Sequence, residues 1–467
     1  MKRVKLFFVF LFLAAALPAQ LSHLWVDAAN GSDNNPGTRA QPFKTLTKGL
    51  TTLNANVMVH VLPGVYGPKT TGDFWDPSNK KSKVVQLNSY RNFHVVGADR
   101  DKCVIDFNGL GDQYWGFIQI RNPSQIKDDS VEVCNLTFRN VGSKSWACGP
   151  LHVHGWQDHH TNIHHNMYID CNSAFIIWSG SDAAFHDNII VSTVQGKGVS
   201  IRVRGENTKD GDRVYVYNNL IYNTQIGLEW SDGTNWTPNN TFVEKFIYNN
   251  IVLNCSTGFN QWASYPTLFP KVHFENNIAW KCGTNFNVPS YPKSNKTVDP
   301  KLANPAKFDF RPLAGSPCLD GGFPGGLLFM MNDFAGNARV ADADLDGKSL
   351  PDIGPYEKVQ AGLSVSNFVQ GKTAVFQGKN FLSGGYPGIF FLGYAKASLV
   401  LSPFGIFGLE PAKILVGAPM TFPGKYQLPI PANPFLKGVP VYAQALGFRP
   451  TTGGFVFMPT GRLDLYL

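Results

Sequence analysis

The chain has 467 residues, 43% hydrophobic and 16% charged, with 46 Gly, 31 Pro and only 33 acidic residues. That length allows two domains and a large core, while low charge with many Gly, Pro and aromatic residues excludes coiled coils, helical bundles and charged disorder. The net charge of +8 is uneven: residues 361–467 hold eight Lys/Arg against two Asp/Glu, and residues 21–360 hold 30 basic and 31 acidic side chains, which excludes a diffuse basic body that grips nucleic acid.

In chain order, Met1–Gln20 reads as a secretory signal. Lys2, Arg3 and Lys5 precede the apolar stretch Leu6–Leu17 and a cleavage zone at Pro18-Ala19-Gln20. That stretch is short for a membrane span, and no later segment offers ~20 uninterrupted apolar residues. The expected product is exported, secreted or on the cell surface, monomeric, and without an integral membrane segment after cleavage. The seven cysteines show no compact disulfide framework and no CxxC, so at least one buried free thiol is expected.

Residues 131–282 carry internal repeats: VEVCNLTFRN, TNIHHNMYIDC, AAFHDNIIVST, VYVYNNLIYNT, KFIYNNIVLNC and VHFENNIAWKC. Each is a short alternating strand, an asparagine and a second short strand. The asparagines Asn135, Asn166, Asn188, Asn219, Asn250 and Asn277 are spaced 31, 22, 31, 31 and 27 residues apart. Irregular repeats of this length without a helical period predict a solenoid of parallel strands. Asn tolerates the left-handed backbone of a sharp corner, and amides stacked one coil apart form a hydrogen-bonded ladder. Five residues on lies a column of mostly small side chains: Asn140, Cys171, Thr193, Thr224, Cys255 and Cys282. Its cysteines read as stacked core thiols, and a Cys255–Cys282 disulfide would be strained between adjacent coils.

With this asparagine column, the opening Leu24–Leu50 (LWVDAANGSDNNPGTRAQPFKTLTKGL) and the rung VMVHVLPGVY (57–66), the chain resembles secreted right-handed parallel β-helix proteins of the pectate-lyase-like superfamily. Val298–Gly322 and Asp333–Glu357 look like the end of the same architecture. The resemblance implies an all-β, right-handed parallel β-helix over residues 21–358, with an N-terminal capping helix. It specifies fold more than reaction, because the superfamily includes lyases, hydrolases, epimerases and non-enzymes. Residues 361–467, free of Trp, His and Cys, read as a C-terminal β-sandwich resembling modules appended to exported bacterial proteins.

In this superfamily the strand after the second corner usually carries the binding face. Here those strands are residues 150–156, 174–180, 199–205, 227–233 and 258–264. Alternation sends Leu151, Val153, Phe175, Ile177, Val199, Ile201, Val203, Leu228 and Trp230 inward. Outward go His152, His154, Ile176, Trp178, Ser200, Arg202, Arg204, Glu229, Ser231, Asn260 and Trp262. This strip, about 20 Å long over five coils, fits a few sugar units. Indoles offer flat area to pyranose rings, and Arg offers a fork for a uronate carboxylate.

The expected activity is that of a polysaccharide lyase on an acidic polysaccharide. Arg202 or Arg204 would neutralise the uronate and His154 would act as base, with Lys197 as an alternative. His152, Trp178, Asn260 and Trp262 would bind substrate. A glycoside hydrolase using Glu229, with Glu206 or Asp232 as partner, and a non-catalytic polysaccharide-binding surface protein are the alternatives. Neither the calcium-and-lysine signatures of the best-known lyases on this fold nor the paired-Asp motif of its polygalacturonases is present.

Two further motifs concern metals. Residues 151–166 hold six histidines, His152, His154, His159, His160, His164 and His165; strand alternation and a corner split them, so substrate contacts or plain surface are expected before a metal site. Asp342, Asp344 and Asp346, followed by Gly347, resemble the start of a calcium loop, with Asp352 standing near the place of the usual closing Glu. A structural Ca2+ is the only cofactor expected.

Overall fold

A computed structural model describes residues 21–53, 55–88, 91–111, 116–121, 129–142, 148–154, 159–179, 183–194, 198–206, 213–231, 244–261, 272–323, 332–336, 339 and 350–358, and then 362–366, 372–379, 386–393, 396–400, 406–409, 414–422, 425–430, 440–451, 454–459 and 463–466. Short strands recur in threes and pair in parallel with their counterparts one coil away, building three long sheets. The first sheet has nine strands, from Ser22–Val26 and Ala55–Val61 through Asp129–Cys134, His159–His164 and Ala183–His186 to Val272–Glu275. The second and third have eight each, ending at Ile278–Trp280 and Thr284–Asn287. This is a parallel β-helix, as the repeats predict, and its wall is continuous from Ser22 to Asn287.

The interior is apolar and closely filled. One cluster joins inward residues of all three sheets, among them Val59, Ile105, Phe138, Phe185, Ile201, Leu228 and Trp230. At the N-terminal end, the helix Leu46–Thr52 lays Leu46, Gly49 and Leu50 over this core. Thr45 caps it by accepting from the Lys48 N–H at 3.0 Å, and the buried carboxylate of Asp73 accepts from the Leu46 and Thr47 N–H groups at 3.1 and 2.7 Å. The orphan donors of the first turn are thereby satisfied.

The corner between the first and second sheets corrects the sequence reading by one residue. The left-handed residues are Asn135, His165, Asp187, Asn218, Asn249 and Asn276, with φ of 57, 57, 50, 54, 56 and 53°. The ladder asparagines stand one position later. Asn166, Asn188, Asn219 and Asn250 each donate through N–H and Nδ2 to the Oδ1 of the next, Asn277 does the same to Asn295, and every distance lies between 2.9 and 3.2 Å. Asn135 therefore belongs to the corner column, and Leu136 takes its ladder place, donating its N–H to Asn166 Oδ1 at 3.1 Å. Asn140 is displaced likewise, since Val141 pairs with Cys171. None of the seven cysteines is in a disulfide, in line with stacked core thiols; Cys255 instead contacts Thr224 at 3.3 Å.

After an antiparallel pair, Leu302–Asn304 with Asp309–Pro312, the chain returns along the corner column. Asn276 Nδ2 donates to Gly321 O at 2.7 Å, and Asn249 exchanges bonds with the Phe323 backbone. Gly354 (φ +100°) donates to Asn249 O at 2.8 Å, and a Cβ there would sit 2.5 Å from Ile251; only glycine fits. Farther back, Arg339 pairs with Asp187 and with Glu357, His165 Nε2 meets Asp333 O at 2.7 Å, and Arg100 donates to Phe334 O while covering its ring. Beyond residue 361 the strands pair antiparallel, with Gly362–Ser366, Thr373–Lys379 and Lys425–Pro429 in one sheet and Tyr386–Gly393 central to another. Phe376 and Tyr426 lie against Phe390, at centroid distances of 4.5 and 4.8 Å.

Candidate functional site

The third sheet holds the strip expected from sequence. Register places Gln86, Gln119, His152, Ile176, Arg202, Glu229, Asn260 and Asn287 side by side, one from each strand. The inward residues Leu151, Val153, Phe175, Ile177, Ile201, Val203, Leu228 and Trp230 are all buried in the core, so parity along these four strands is as expected. A shift between Ile177 and Ser179, against Val203 and Glu206, inserts one extra residue in the strand that carries the arginines. Such a bulge re-aims the side chains around it.

At the centre of the row, Arg202 Nε lies 2.9 Å from Glu229 Oε1. The other carboxylate oxygen accepts from Asn260 Nδ2 at 2.8 Å, and Asn260 Oδ1 accepts from Asn287 Nδ2 at 2.7 Å. A four-residue relay across four strands thus holds the guanidinium. It is sheltered: Arg202 is 9% exposed, Glu229 5% and His152 1%. Gln86 Nε2 donates to Gln119 Oε1 at 3.3 Å and carries the row to the other end. Sequence reasoning missed Gln86, Gln119 and Asn287, although extending the same alternation by two strands at one end and one at the other finds them.

Of the other expected site residues, His154 closes the strand Leu151–His154 with its backbone opposite Arg121, and Arg204 lies opposite Ser231. The side chains of His154, Trp178, Arg204 and Glu206 lie outside the described part, as do residues Lys197, Asp232 and Trp262.

The six histidines are divided as alternation requires. His152 and His154 are on the third sheet, His159, His160 and His164 on the first, and His165 at the corner. His164 stacks on His186 at 5.0 Å, and His186 on Tyr217 at 4.6 Å. Burial pushes the pKa of His165 down to about 3 and that of His186 to about 4. Beside them burial alone would raise Asp187, but Arg339 and then His186 outweigh it and hold Asp187 at about 2. Arg339 had no sequence signal beyond its charge; only the fold brings it to Asp187.

Of the expected calcium loop, Asp342, Asp344 and Asp346 lie outside the described residues. Asp352 is buried, and its two oxygens accept from the backbone N–H groups of Asp320 and Lys358, each at 2.8 Å. That use fastens the returning segment. Among the described residues no helix is long and apolar enough to cross a membrane.

Residues 29–75, the capping segment and first coil, match the family described as "Protein of unknown function (DUF1565)". No curated protein matches the sequence. Among solved structures the chain is similar to pectin methylesterase PemA from Erwinia chrysanthemi, at 15% identity over 62% of this chain and 98% of that one, with a TM-score of 0.27. A rhamnogalacturonan lyase follows at 13% identity, 55% and 68% coverage and TM-score 0.31. The pectate lyase Pel9A gives 12%, 72% and 97%, and 0.29. The fold assignment itself stands on the strand pairing.

Proposed function

We propose that the outer face of the third sheet takes an acidic polysaccharide and that the protein is a polysaccharide lyase, exported by its N-terminal segment. The supporting observation is the use of Glu229: one oxygen is ion-paired with Arg202 and the other accepts from Asn260. A carboxylate engaged on both sides orients its arginine and is poorly placed to protonate a glycosidic oxygen. Arg202 is then the cation of the site, neutralising the uronate carboxylate, with Arg204 two residues further along the same strand. His154 takes the C5 proton, the C5–H electrons form the C4–C5 double bond, and the glycosidic oxygen leaves C4 with its electron pair.

A glycan panel, acidic and neutral, with and without calcium, tests this by following ultraviolet absorbance of unsaturated uronate and reducing ends in parallel. Both signals are expected to rise on an acidic glycan. Both should fall at least 100-fold in Arg202→Lys, which keeps charge but loses the planar fork. Reducing ends alone would transfer the site to Glu229 and hydrolysis. The burial of Arg202 and Glu229 favours a second reading, in which the pair closes the wall of a glycan-binding scaffold; binding with silence in both assays would select it.

A further inference from the structure

On the outer face of the first sheet, away from the arginine row, four side chains converge across three neighbouring strands. Glu132 and Cys134 alternate onto one face of Asp129–Cys134, His164 stands opposite Cys134 on the next strand, and His94 opposite Glu132 on the previous one. His94 Nδ1 is 2.7 Å from Glu132 Oε2, and His164 Nε2 is 3.0 Å from Glu132 Oε1. One ligand atom from each of Glu132, Cys134 and His164 lies within 4.8 Å of the others. Tetrahedral zinc with nitrogen, oxygen and sulfur ligands needs separations of about 3.5 Å, so small side-chain rotations bring the three onto one ion.

The contacts of the histidine rings point the same way. Asp333 O is a carbonyl and only accepts, so His165 must donate to it through Nε2–H. His164 Nδ1 lies 2.7 Å from His165 Nδ1, which holds the His164 ring with its Nε2 toward Glu132. A ligating histidine whose other ring nitrogen is engaged by a neighbouring group is the usual outer-shell arrangement of a metal site.

We infer that Glu132, Cys134 and His164, with His94 beside them, bind a divalent transition ion of the zinc type. Sulfur and imidazole donors select such an ion over calcium or magnesium. The site spans three coils, so the ion would pin them together, and it is independent of the reading of the third sheet.

The test is calorimetric titration of Zn2+ into the metal-stripped full chain, with Co2+ absorption as a second readout. One ion per chain is expected, with a cobalt–thiolate absorption band. Cys134→Ser should abolish that band, and His164→Ala should weaken zinc at least ten-fold, both with circular dichroism like the parent. His273→Ala, on the same sheet face, should change neither. Absence of zinc binding and of a cobalt–thiolate band in the parent overturns the site and leaves only a proton between His164 and Glu132. Zinc binding unaltered in folded Cys134→Ser and His164→Ala overturns it equally.

Discussion

Asn219 shows how much one side chain does in this wall. Its Nδ2 donates to Phe185 O, Tyr217 O and Asn250 Oδ1 at 2.9, 3.0 and 3.0 Å, and its Oδ1 accepts from Asn188 N at 3.1 Å. It is fully buried, so a lost partner exposes nothing to water and leaves carbonyls unsatisfied. Asn219→Leu should cost about 1–3 kcal/mol in denaturant unfolding. The isosteric Asn219→Asp should cost at least as much at neutral pH, because a carboxylate only accepts and would face two carbonyls. Equal stability of the Asp variant and the parent would refute the ladder.

The buried histidines set a pH dependence at the same scale. The folded pKa values of His60, His165 and His186 are lowered, to about 4, 3 and 4, from about 6.5 unfolded. Between about 4 and 6.5 the unfolded chain binds more protons, so stability rises with pH in that window. Asp352 opposes them: burial first of all raises its folded pKa to about 6, so its contribution falls as pH rises from about 4 to 6. Asp187, held at about 2 by Arg339, adds stability that is lost below pH ~4. Burial also raises the Asp73 carboxyl, which acts with Asp352; three histidines against two carboxyls predict a denaturation midpoint that climbs from pH 4 to 6.5. His186→Gln should flatten the climb; an unchanged slope would contradict the assignment.

At the scale of the element, the returning segment explains why corner residues here are more than Asn. Arg339 is fully buried between Asp187 and Glu357, and Asp333, also buried, accepts the N–H groups of Ala335 and Glu357 at 3.0 and 2.9 Å. Removing the cation strands two buried carboxylates, so Arg339→Met should destabilise by about 3–5 kcal/mol. Restoration by the added change Asp187→Asn is expected, and a double variant no better than the single one would show that the pair does not fasten the segment. Strand parity was legible in sequence because alternation is local, whereas the three-strand coil and the capping helix were implied by the resemblance that the asparagine column and residues 24–50 carry. The corner lay one residue off because AsnAsn pairs such as Asn218-Asn219 suit both the left-handed turn and the ladder, and spacing alone cannot assign the two jobs. The contacts of Arg339 and His165 with residues 152 and 168 positions away in the chain leave no periodic trace.

At the scale of the whole molecule, parallel stacking from Ser22 to Asn287 places residues 31 and 27 apart in sequence side by side, and so assembles Arg202, Glu229, Asn260 and Asn287 into one row. The outward parity of that row could be read from the chain. Its internal pairing could not, since VSIRVRG and GLEWSDG give no signal for which arginine faces Glu229; the register of the two strands, Arg202 opposite Glu229 and Arg204 opposite Ser231, decides it. The antiparallel sheets after residue 361 contribute none of the residues in this row.

The central claim is that bonds in an acidic polysaccharide are broken across this row without water. Digestion of a susceptible acidic glycan in ¹⁸O-labelled water, followed by mass spectrometry of the products, tests it most directly. The account predicts fragments with an unsaturated end, one water lighter than hydrolytic products and free of the label. Label incorporated at the new chain ends, with no unsaturated product, would contradict elimination and with it the role given to Arg202.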